Sequence, residues 1–452
     1  MSDKPLSKKD FGADFLWGVS SSALQTEGAH DADGKGLSIW DVFVTKPKKI
    51  LNHDTHFVAA DFYHNYKTDI ALLKQMGIPN YRFSLSWPRI IPNGTGTVNQ
   101  AGLDFYHNII DCCIENGIEP FVTLYHWDLP QELEYKGGWT NREIVQWFEE
   151  YVKVCANAFK DKVRYWMVLN EPMVFTGGGY FLGIHAPGKK GFDNFIPAMH
   201  HAVLCQAVGF NTIKAILPEA QVGTTFSCSY ITPYSASEKD KKAAIRVDAL
   251  LNRLFIEPSL GLGYPIASLP FLKKVKKYQL PEDEALMKVT FDFIGIQNYT
   301  REVVAYSIFT PYINARIIPA DKRKVFYTAM DWEVYPEAIY EMIRLFDNYE
   351  GVKKILITEN GASFPDELID GIIDDHHRRH FLKSYLEQVL RAKKISAKLA
   401  GYFVWSLTDN FEWGEGFKQR FGLIHVDYDT QKRTVKNSGW WYKQFLEEVE
   451  EL

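Results

Sequence analysis

The chain has 452 residues, of which 46% are hydrophobic and 15% aromatic, and its formal net charge at pH 7 is −5. This charge, together with the lack of any basic block, argues against nucleic acid or an anionic membrane surface as a partner. No apolar run reaches the length of a membrane span, and the hydrophobic content is sufficient for a large core.

The N-terminal segment and the cysteines predict a cytoplasmic location. The first residues, MSDKPLSKKDFGADF, are charged and lack the apolar segment of a secretory signal. The cysteines are odd in number and form no CxxC pair, so we expect free, mostly buried thiols in a reducing compartment. They are Cys112, Cys113, Cys155, Cys205 and Cys228.

Strand-like and helix-like segments alternate along the chain. In chain order, the hydrophobic pattern predicts strand 15–22, helix 59–77, strand 81–88, helix 101–116, strand 120–126, helix 142–160, strand 165–172, helix 197–217, strand 221–228, helix 238–255, strand 292–300, helix 336–349, strand 354–361, helix 375–394, strand 399–407 and helix 440–449.

This order predicts an α/β fold with one domain spanning residues 1–452. Strictly alternating strands and helices give parallel strands joined by right-handed crossovers, and eight such units close most naturally into a single (β/α)8 TIM barrel. An open doubly wound sheet is the alternative, but no GxGxxG turn follows any early strand.

Two of the predicted strands end in a glutamate. KILITENG places Glu359 after the apolar run 355–357, and YWMVLNEP places Glu171 after the run 166–169. Either glutamate alone could be a surface residue or lie beside a helix N-cap. Two buried strands with this ending predict a pocket with two carboxylates, the arrangement that glycosidases use.

Other polar and aromatic residues occupy the ends of the remaining strands. The active site of a TIM barrel lies at the carboxyl ends of its strands, so this set predicts a polar binding site there. Taken singly, Arg82 could form a structural ion pair, His126 could be a core histidine and Trp405 could be core packing. The full set is Gln25, Arg82, His126, Trp127, Asn170, Glu171, Gln297, Asn298, Tyr299, Glu359, Trp405, Glu412 and Trp413.

Several motifs in one order along essentially the whole chain resemble glycoside hydrolase family 1, of the β-glucosidase type. They are FLWG from Phe15, EGA from Glu27, YRFS from Tyr81, LYHWDLP from Leu124, NEP from Asn170, ITENG from Ile357, and WSL from Trp405 to FEW ending at Trp413.

The resemblance implies a role for each site residue. Glu359 would be the nucleophile and Glu171 the general acid/base of a retaining mechanism. Arg82 and Tyr299 would keep Glu359 ionised, while the charge of Glu359 would help keep Glu171 protonated. The expected sugar contacts are Asn170 to the 2-hydroxyl, Gln25, His126, Trp127, Glu412 and Trp413 to the other hydroxyls, Trp405 as the stacking floor and Trp332 on the leaving-group side. Gln297 also belongs to the expected substrate-binding set. The resemblance implies no metal and no cofactor.

Two positions depart from the family pattern. Gln297 replaces an asparagine, and this longer amide is expected to affect the bound sugar or its specificity. Val168 replaces a threonine, which we expect to remove a hydroxyl behind the site. Glu412 argues against a phospho-β-glycosidase, since a carboxylate would repel phosphate, and the intact Glu171 argues against a myrosinase.

The predicted function is a retaining β-glycosidase that takes a small-molecule β-glycoside or a short oligosaccharide. Glucose is the expected terminal sugar, with galactose or fucose as alternatives, and a homo-oligomer remains possible. A transglycosylase, a non-catalytic sugar-binding barrel and a metal-dependent barrel hydrolase are the competing functions.

Two histidine groups offer little support for a metal site. His376, His377 and His380 alternate with charged residues, as on a solvated helix face. His200 and His201 lie in an apolar helix, where packing is the simpler role.

Overall fold

The computed structural model describes residues 6–448, so Val449, the predicted last residue of the final helix, lies outside the described residues. The strands are β1 (Leu16–Ser20), β2 (Asn80–Ser84), β3 (Glu119–Tyr125), β4 (Tyr165–Asn170), β5 (Gln221–Ser227), β6 (Tyr230–Pro233), β7 (Phe293–Gln297), β8 (Arg301–Tyr306), β9 (Ala315–Ile317), β10 (Ile355–Asn360), β11 (Leu399–Trp405), β12 (Ile424–Val426) and β13 (Arg433–Val435).

The α-helices lie between and around these strands. They are α1 (Ala23–Thr26), α2 (Ile39–Phe43), α3 (Phe62–Gln75), α4 (Trp87–Ile90), α5 (Gln100–Glu115), α6 (Gln131–Tyr135), α7 (Ile144–Phe159), α8 (Pro172–Thr176), α9 (Phe192–Ile216), α10 (Glu238–Asp248), α11 (Ile256–Ser259), α12 (Asp283–Met287), α13 (Glu337–Asp347), α14 (His376–Lys393) and α15 (Asn437–Glu447).

Short 3-10 and π segments complete the secondary structure. The 3-10 segments are Lys8–Phe11, Ala32–Gly34, Leu51–His53, Gly138–Thr140, Pro270–Lys277, Ala320–Lys322 and Trp413–Glu415, and the π segments are Gly177–Leu182 and Ala249–Arg253.

Eight parallel strands close into a barrel in the order β1-β11-β10-β7-β5-β4-β3-β2, which confirms the predicted TIM barrel. Two small sheets lie outside it: the antiparallel pair β12-β13, and a three-stranded sheet in the order β6-β8-β9. The prediction from sequence included neither sheet, because their strands are three to six residues long and lie between longer elements.

The core has an inner and an outer part. Inside the barrel a separate apolar cluster forms, consisting of Phe121, Met167, Phe293, Leu356 and Phe403. The outer part fills the space between strands and helices; in α13, for example, Ile339, Met342, Ile343 and Phe346 are buried at helical spacing. The charged side chains of the site therefore stand above a packed apolar floor.

Several predicted boundaries are wrong by three or more residues. The helix predicted from residue 59 begins at Phe62, the α-helix predicted to residue 255 ends at Asp248, and the helix predicted from residue 440 begins at Asn437.

The second strand ends at Ser84, and the following Trp87–Ile90 forms α4 with a proline in its first turn. The strand predicted to reach residue 300 ends at Gln297. Helix α9 begins at Phe192, so Pro197 lies inside it, whereas the sequence pattern predicts this proline as the first residue of the helix.

The histidines and cysteines lie where packing arguments put them. His200 is buried and hydrogen-bonds Asp283, and His201 hydrogen-bonds the carbonyl of Trp139. His376, His377 and His380 lie on the exposed face of α14. All five cysteines are free, and all but the partly buried Cys112 are fully buried.

Candidate active site

A cavity of about 550 Å³ opens at the carboxyl ends of the barrel strands. Ten of the thirteen residues to which the resemblance gives a role line it, and this volume falls within the range of small-molecule sites. The ten are Gln25, His126, Trp127, Glu171, Tyr299, Trp332, Glu359, Trp405, Glu412 and Trp413. The other three, Arg82, Asn170 and Gln297, are fully buried behind the wall and bond to residues that line it.

Glu359 is the fifth residue of β10 and is held by three side-chain donors. Arg82 Nη1 and Gln297 Nε2 both donate to its Oε1, the latter over 2.7 Å, and the Tyr299 hydroxyl donates to Oε2 over 2.7 Å. The nearby glycine of the motif is required by space, since a Cβ on Gly361 would lie 1.8 Å from the Trp405 carbonyl oxygen. The neighbouring strand β11 thus fixes the chain just after Glu359.

Glu171 stands between β4 and α8 in a conformation that few side chains adopt. Its φ is +46°, in the left-handed region, and it directly precedes Pro172 at the start of the helix. Trp127 and Trp413, which line the same cavity, also have positive φ, at 78° and 48°. Strained backbone of this kind persists where the surrounding structure holds it, and it concentrates at functional sites.

Burial raises the pKa of both glutamates, but the two surroundings differ. For Glu359 this effect is opposed by the charge and hydrogen bond of Arg82 and by the hydrogen bond from Tyr299. For Glu171 the charge of Glu359 adds to burial and holds the pKa well above its usual value. Burial, rather than the expected charge of Glu359, is thus the larger cause for Glu171. Of the two carboxyls, only Glu359 has Arg82 and Tyr299 as hydrogen-bond donors that oppose its protonation.

Asn170 is linked to the barrel wall by its side-chain oxygen, which accepts three hydrogen bonds. Its Oδ1 accepts from Arg82 Nη2, from Gln297 Nε2 at 2.7 Å and from the Thr225 hydroxyl at 3.0 Å. The Nδ2 group therefore faces His126 Nε2, 3.0 Å away, and donates to it. Burial and the charge of Arg82 hold the pKa of His126 well below its usual value, so the ring is neutral and carries its proton on Nδ1.

Gln25 and Glu412 form the polar part of the floor. Gln25 lies on α1, and its Nε2 donates to the Phe411 carbonyl at 2.9 Å and to Glu412 Oε2 at 3.3 Å. Burial and the charge of Glu359 raise the pKa of Glu412 to about 8.

Aromatic rings form the rest of the wall. Trp127 and Trp413 pack with centroids 4.3 Å apart, and Trp405 lies 5.9 Å from the His126 ring. Trp332 packs against Tyr299, with centroids 5.3 Å apart, and it is less buried than the three floor tryptophans. The cavity thus has a buried aromatic floor and a more open rim.

The two family departures have different surroundings. Gln297 is fully buried and does not line the cavity, and its Nε2 group donates to Glu359 and Asn170. Val168 packs outward against Gly209 of α9, whereas its neighbour Met167 belongs to the cluster inside the barrel. The expectation that the valine removes a hydroxyl directly behind the site is therefore wrong, because this side chain points away from it.

Several rim residues were not predicted. Glu302 follows Tyr299 by three positions and lies beyond the predicted end of the strand, so its position at a strand end could not indicate it. Lys49 and His185 lie in loops without periodic pattern, so no sequence signal indicated them. The unpredicted lining residues include Lys49, Ile184, His185, Ser229, Glu302, Met330 and Glu415.

Neither a metal site nor a membrane-spanning helix is found among the residues that the structure describes. Between residues 6 and 448, no group of three or more His, Cys, Asp or Glu side chains is arranged to hold a metal ion. Nor is any helix within those residues both long and apolar enough to cross a membrane.

Known proteins match this chain over nearly its whole length. Residues 7–451 match the model of the family described as Glycosyl hydrolase family 1. A protein named Beta-glucosidase A from Acetivibrio thermocellus is 42% identical over 98% of this chain and 99% of its own length. A protein named 1,4-beta-D-glucan glucohydrolase from Thermotoga neapolitana is 41% identical over 97% of this chain and 98% of its own length.

A solved structure supports the same relationship. The Thermotoga maritima beta-glucosidase in complex with glucoimidazole superposes with a TM-score of 0.92 at 41% identity, covering 97% of this chain and 98% of that one. With a family match across nearly the full length, and with the barrel and two-carboxyl cavity described above, this chain belongs to glycosyl hydrolase family 1.

Proposed function

We propose that this chain is a retaining β-glucosidase-type hydrolase in which Glu359 is the nucleophile and Glu171 the general acid/base. The observation that carries the proposal is the unequal setting of two carboxyls in one cavity. Three donors converge on Glu359, while burial and the charge of Glu359 favour a protonated Glu171. A retaining glycosidase needs this division between an anion and an acid.

In the first step, a Glu359 oxygen attacks the anomeric carbon. The bond from that carbon to the leaving-group oxygen breaks, and Glu171 gives its proton to this oxygen, so that a neutral alcohol departs. The product is a glycosyl ester of Glu359. Arg82 and Tyr299, which held the charge of the nucleophile, remain as donors around the ester.

In the second step, a water molecule attacks the same carbon. Once esterified, Glu359 carries no charge, and the largest electrostatic cause of the high pKa of Glu171 disappears. The pKa of Glu171 falls, and its carboxylate takes the proton from the attacking water. The ester bond breaks, both glutamates return to their starting states, and the sugar leaves with its original anomeric configuration.

The floor of the cavity binds the terminal sugar. We assign the 2-hydroxyl to Asn170, the last residue of β4, and the support of the ring to Trp405. The other hydroxyls are assigned to residues that line the cavity, namely Gln25, His126, Trp127, Glu412 and Trp413. Gln297 acts through Asn170 and Glu359 rather than by touching the sugar. Glucose is the sugar we assign, with galactose or fucose as tolerated alternatives, and the names of the relatives support this choice.

A panel of p-nitrophenyl β-glycosides tests the proposal. We expect the glucoside to give the highest kcat/KM, and the first anomer released, followed by proton NMR, to be β. A first product of the α anomer would contradict the retaining mechanism. Binding of glucose or a glucoside without turnover would instead favour a non-catalytic barrel, which nothing in the site favours, since both carboxyls are present.

The cytoplasm is the location that we infer for this enzyme. The support is five free thiols and the absence of any disulfide between residues 6 and 448. Sedimentation of the purified protein would show whether it forms the homo-oligomer that the sequence leaves possible.

A further inference from the structure

Glu302 stands at the rim of the cavity on a rigid support. It is the second residue of β8, where it pairs in parallel with Ile231 of β6, and its carbonyl accepts from the Thr232 hydroxyl at 3.5 Å. Its side chain lines the cavity together with Thr300 and Trp332. The carboxyl group is therefore held at the entrance by a regular strand rather than by a loop.

The arginines near Glu302 are already used by another carboxylate. Arg301 donates from Nε and Nη2 to the two oxygens of Glu333, at 2.8 and 2.9 Å, and Arg323 also pairs with Glu333. Within residues 6–448, the Glu302 carboxyl has no hydrogen-bond partner of its own. Burial raises the pKa of Glu302 to about 7, with only partial compensation from the charge of Arg323.

A half-buried carboxyl without a partner is unfavourable unless a ligand supplies donors. At this position the ligand is the group beyond the scissile bond, because the terminal sugar occupies the deeper floor formed by Gln25, His126 and Glu412. The rim offers two kinds of surface: the carboxyl oxygens of Glu302, which accept hydrogen bonds, and the indole of Trp332, which is apolar and partly open. A pyranose ring has hydroxyls for the first and C–H faces for the second.

We infer that Glu302 binds the hydroxyl groups of a saccharide leaving group and makes the enzyme favour a second sugar over an aryl or alkyl group at that position. This inference rests on the proposed function, since it assumes hydrolysis at Glu171 and Glu359. An aryl or alkyl leaving group can still contact Trp332 but offers no donor to the carboxyl.

The test compares two substrates that share the same terminal glucose, namely cellobiose and p-nitrophenyl β-glucoside. Glu302→Ala is expected to lower kcat/KM for cellobiose about 10-fold or more, as for a lost hydrogen bond to a charged group, and to change the aryl value less than about 2-fold. Glu302→Gln, which keeps the size and one acceptor, is expected to fall between. Glu284→Ala removes an exposed carboxylate of α12 and serves as the control for the charge change.

A second measurement isolates binding at the rim. The glycosyl-enzyme formed with a 2-deoxy-2-fluoro glucoside is reactivated by a sugar acceptor that occupies the leaving-group position. For Glu302→Ala, we expect the half-saturating concentration of phenyl β-glucoside in this reactivation to rise several-fold, while reactivation by methanol stays unchanged.

The possible outcomes separate the two claims. Equal losses on both substrates, or an unchanged cellobiose to aryl ratio in both Glu302 variants, would overturn the inference and leave the proposed function standing. A wild-type protein that hydrolyses neither substrate would overturn the proposed function, and the inference with it. Retained hydrolysis of the aryl glucoside by Glu302→Ala also shows that the variant is folded.

Discussion

The side-chain amide of Gln297 bridges Glu359 and Asn170. Its Nε2 group donates to Glu359 Oε1 and to Asn170 Oδ1, each over 2.7 Å. Gln297 and Glu359 are also register partners on the adjacent strands β7 and β10. One amide therefore holds the proposed nucleophile and the proposed 2-hydroxyl ligand in a fixed relation.

Removing this amide is expected to shift the acidic limb of the pH profile of kcat/KM. Gln297→Leu removes a donor that favours the ionised form of Glu359, so the pKa of this carboxyl rises and its anion is lost at a higher pH. We expect the acidic limb of kcat/KM to move up in pH and the plateau to fall about 10-fold, measured with an aryl glucoside.

Thr225→Val is the matched control for this experiment. The Thr225 hydroxyl donates to Asn170 at 3.0 Å and has no bond to Glu359. Its replacement should lower the plateau without moving the acidic limb. A limb that stays in place in Gln297→Leu would show that the amide only fills space.

Removing the proposed nucleophile should be reversible by a small anion. Glu359→Gly is expected to lower kcat on p-nitrophenyl β-glucoside by about 10⁴-fold or more. Azide fits the space left by the carboxylate and attacks the same face of the sugar, so activity returns with an α-glycosyl azide as product. Full activity of the variant without azide, or a β-glycosyl azide, would contradict the assignment.

Removing the proposed acid should depend on the leaving group. Glu171→Ala is expected to lower kcat/KM about 10²- to 10⁴-fold on a substrate whose alcohol needs a proton, such as cellobiose. On 2,4-dinitrophenyl β-glucoside, whose phenolate departs unaided, we expect kcat/KM to change less than about 10-fold. Equal losses on the two substrates would count against an acid role.

Glu412 is expected to make the protein less stable as the pH rises. Its pKa is raised from the usual carboxyl value to about 8 in the folded state, mainly by burial, so the folded chain binds a proton that the unfolded chain has released. Its contribution to the free energy of unfolding thus falls between about pH 4.5 and pH 8.

Urea unfolding at pH 5 and pH 8 measures this contribution. Compared with wild type, Glu412→Gln should lose less stability between the two pH values, by on the order of 1 kcal/mol or more. Glu284→Gln, which removes an exposed carboxylate of α12, provides the control for the loss of one acidic group. An identical pH dependence in Glu412→Gln would contradict the assigned pKa.

The sequence predicts the position of a site residue well where that residue directly ends a buried strand. Glu171 and Glu359 could be predicted because a buried apolar run ends at each, and parallel strands bring such ends to one face. Gln297 was placed on the right strand, but the reach of its amide to Glu359 depends on side-chain geometry that no pattern encodes. The expectation for Val168 fails because the register of β4 against β5 is irregular between Met167 and Asn170, so alternation counted back from Asn170 does not give the face of Val168.

Other features depended on parts of the chain with weak patterns. Glu302 was missed because β8 belongs to a small sheet outside the barrel, so the strand-end argument did not extend to it. The rim loops that carry Lys49 and His185 have no periodicity at all. The start of α9 was misplaced since Pro197 is tolerated inside the helix.

The entrance and the reacting centre of the cavity are built on different sheets. Glu302 at the entrance is carried by β8 of the separate sheet β6-β8-β9, whereas Glu171 and Glu359 are carried by the barrel. Substitutions along the face of β8 can therefore alter what is accepted beyond the cleaved bond while the bond-breaking apparatus keeps its alignment. An engineer who wishes to retune the enzyme toward longer chains or toward plant glucosides would do best to randomise this outlying sheet first.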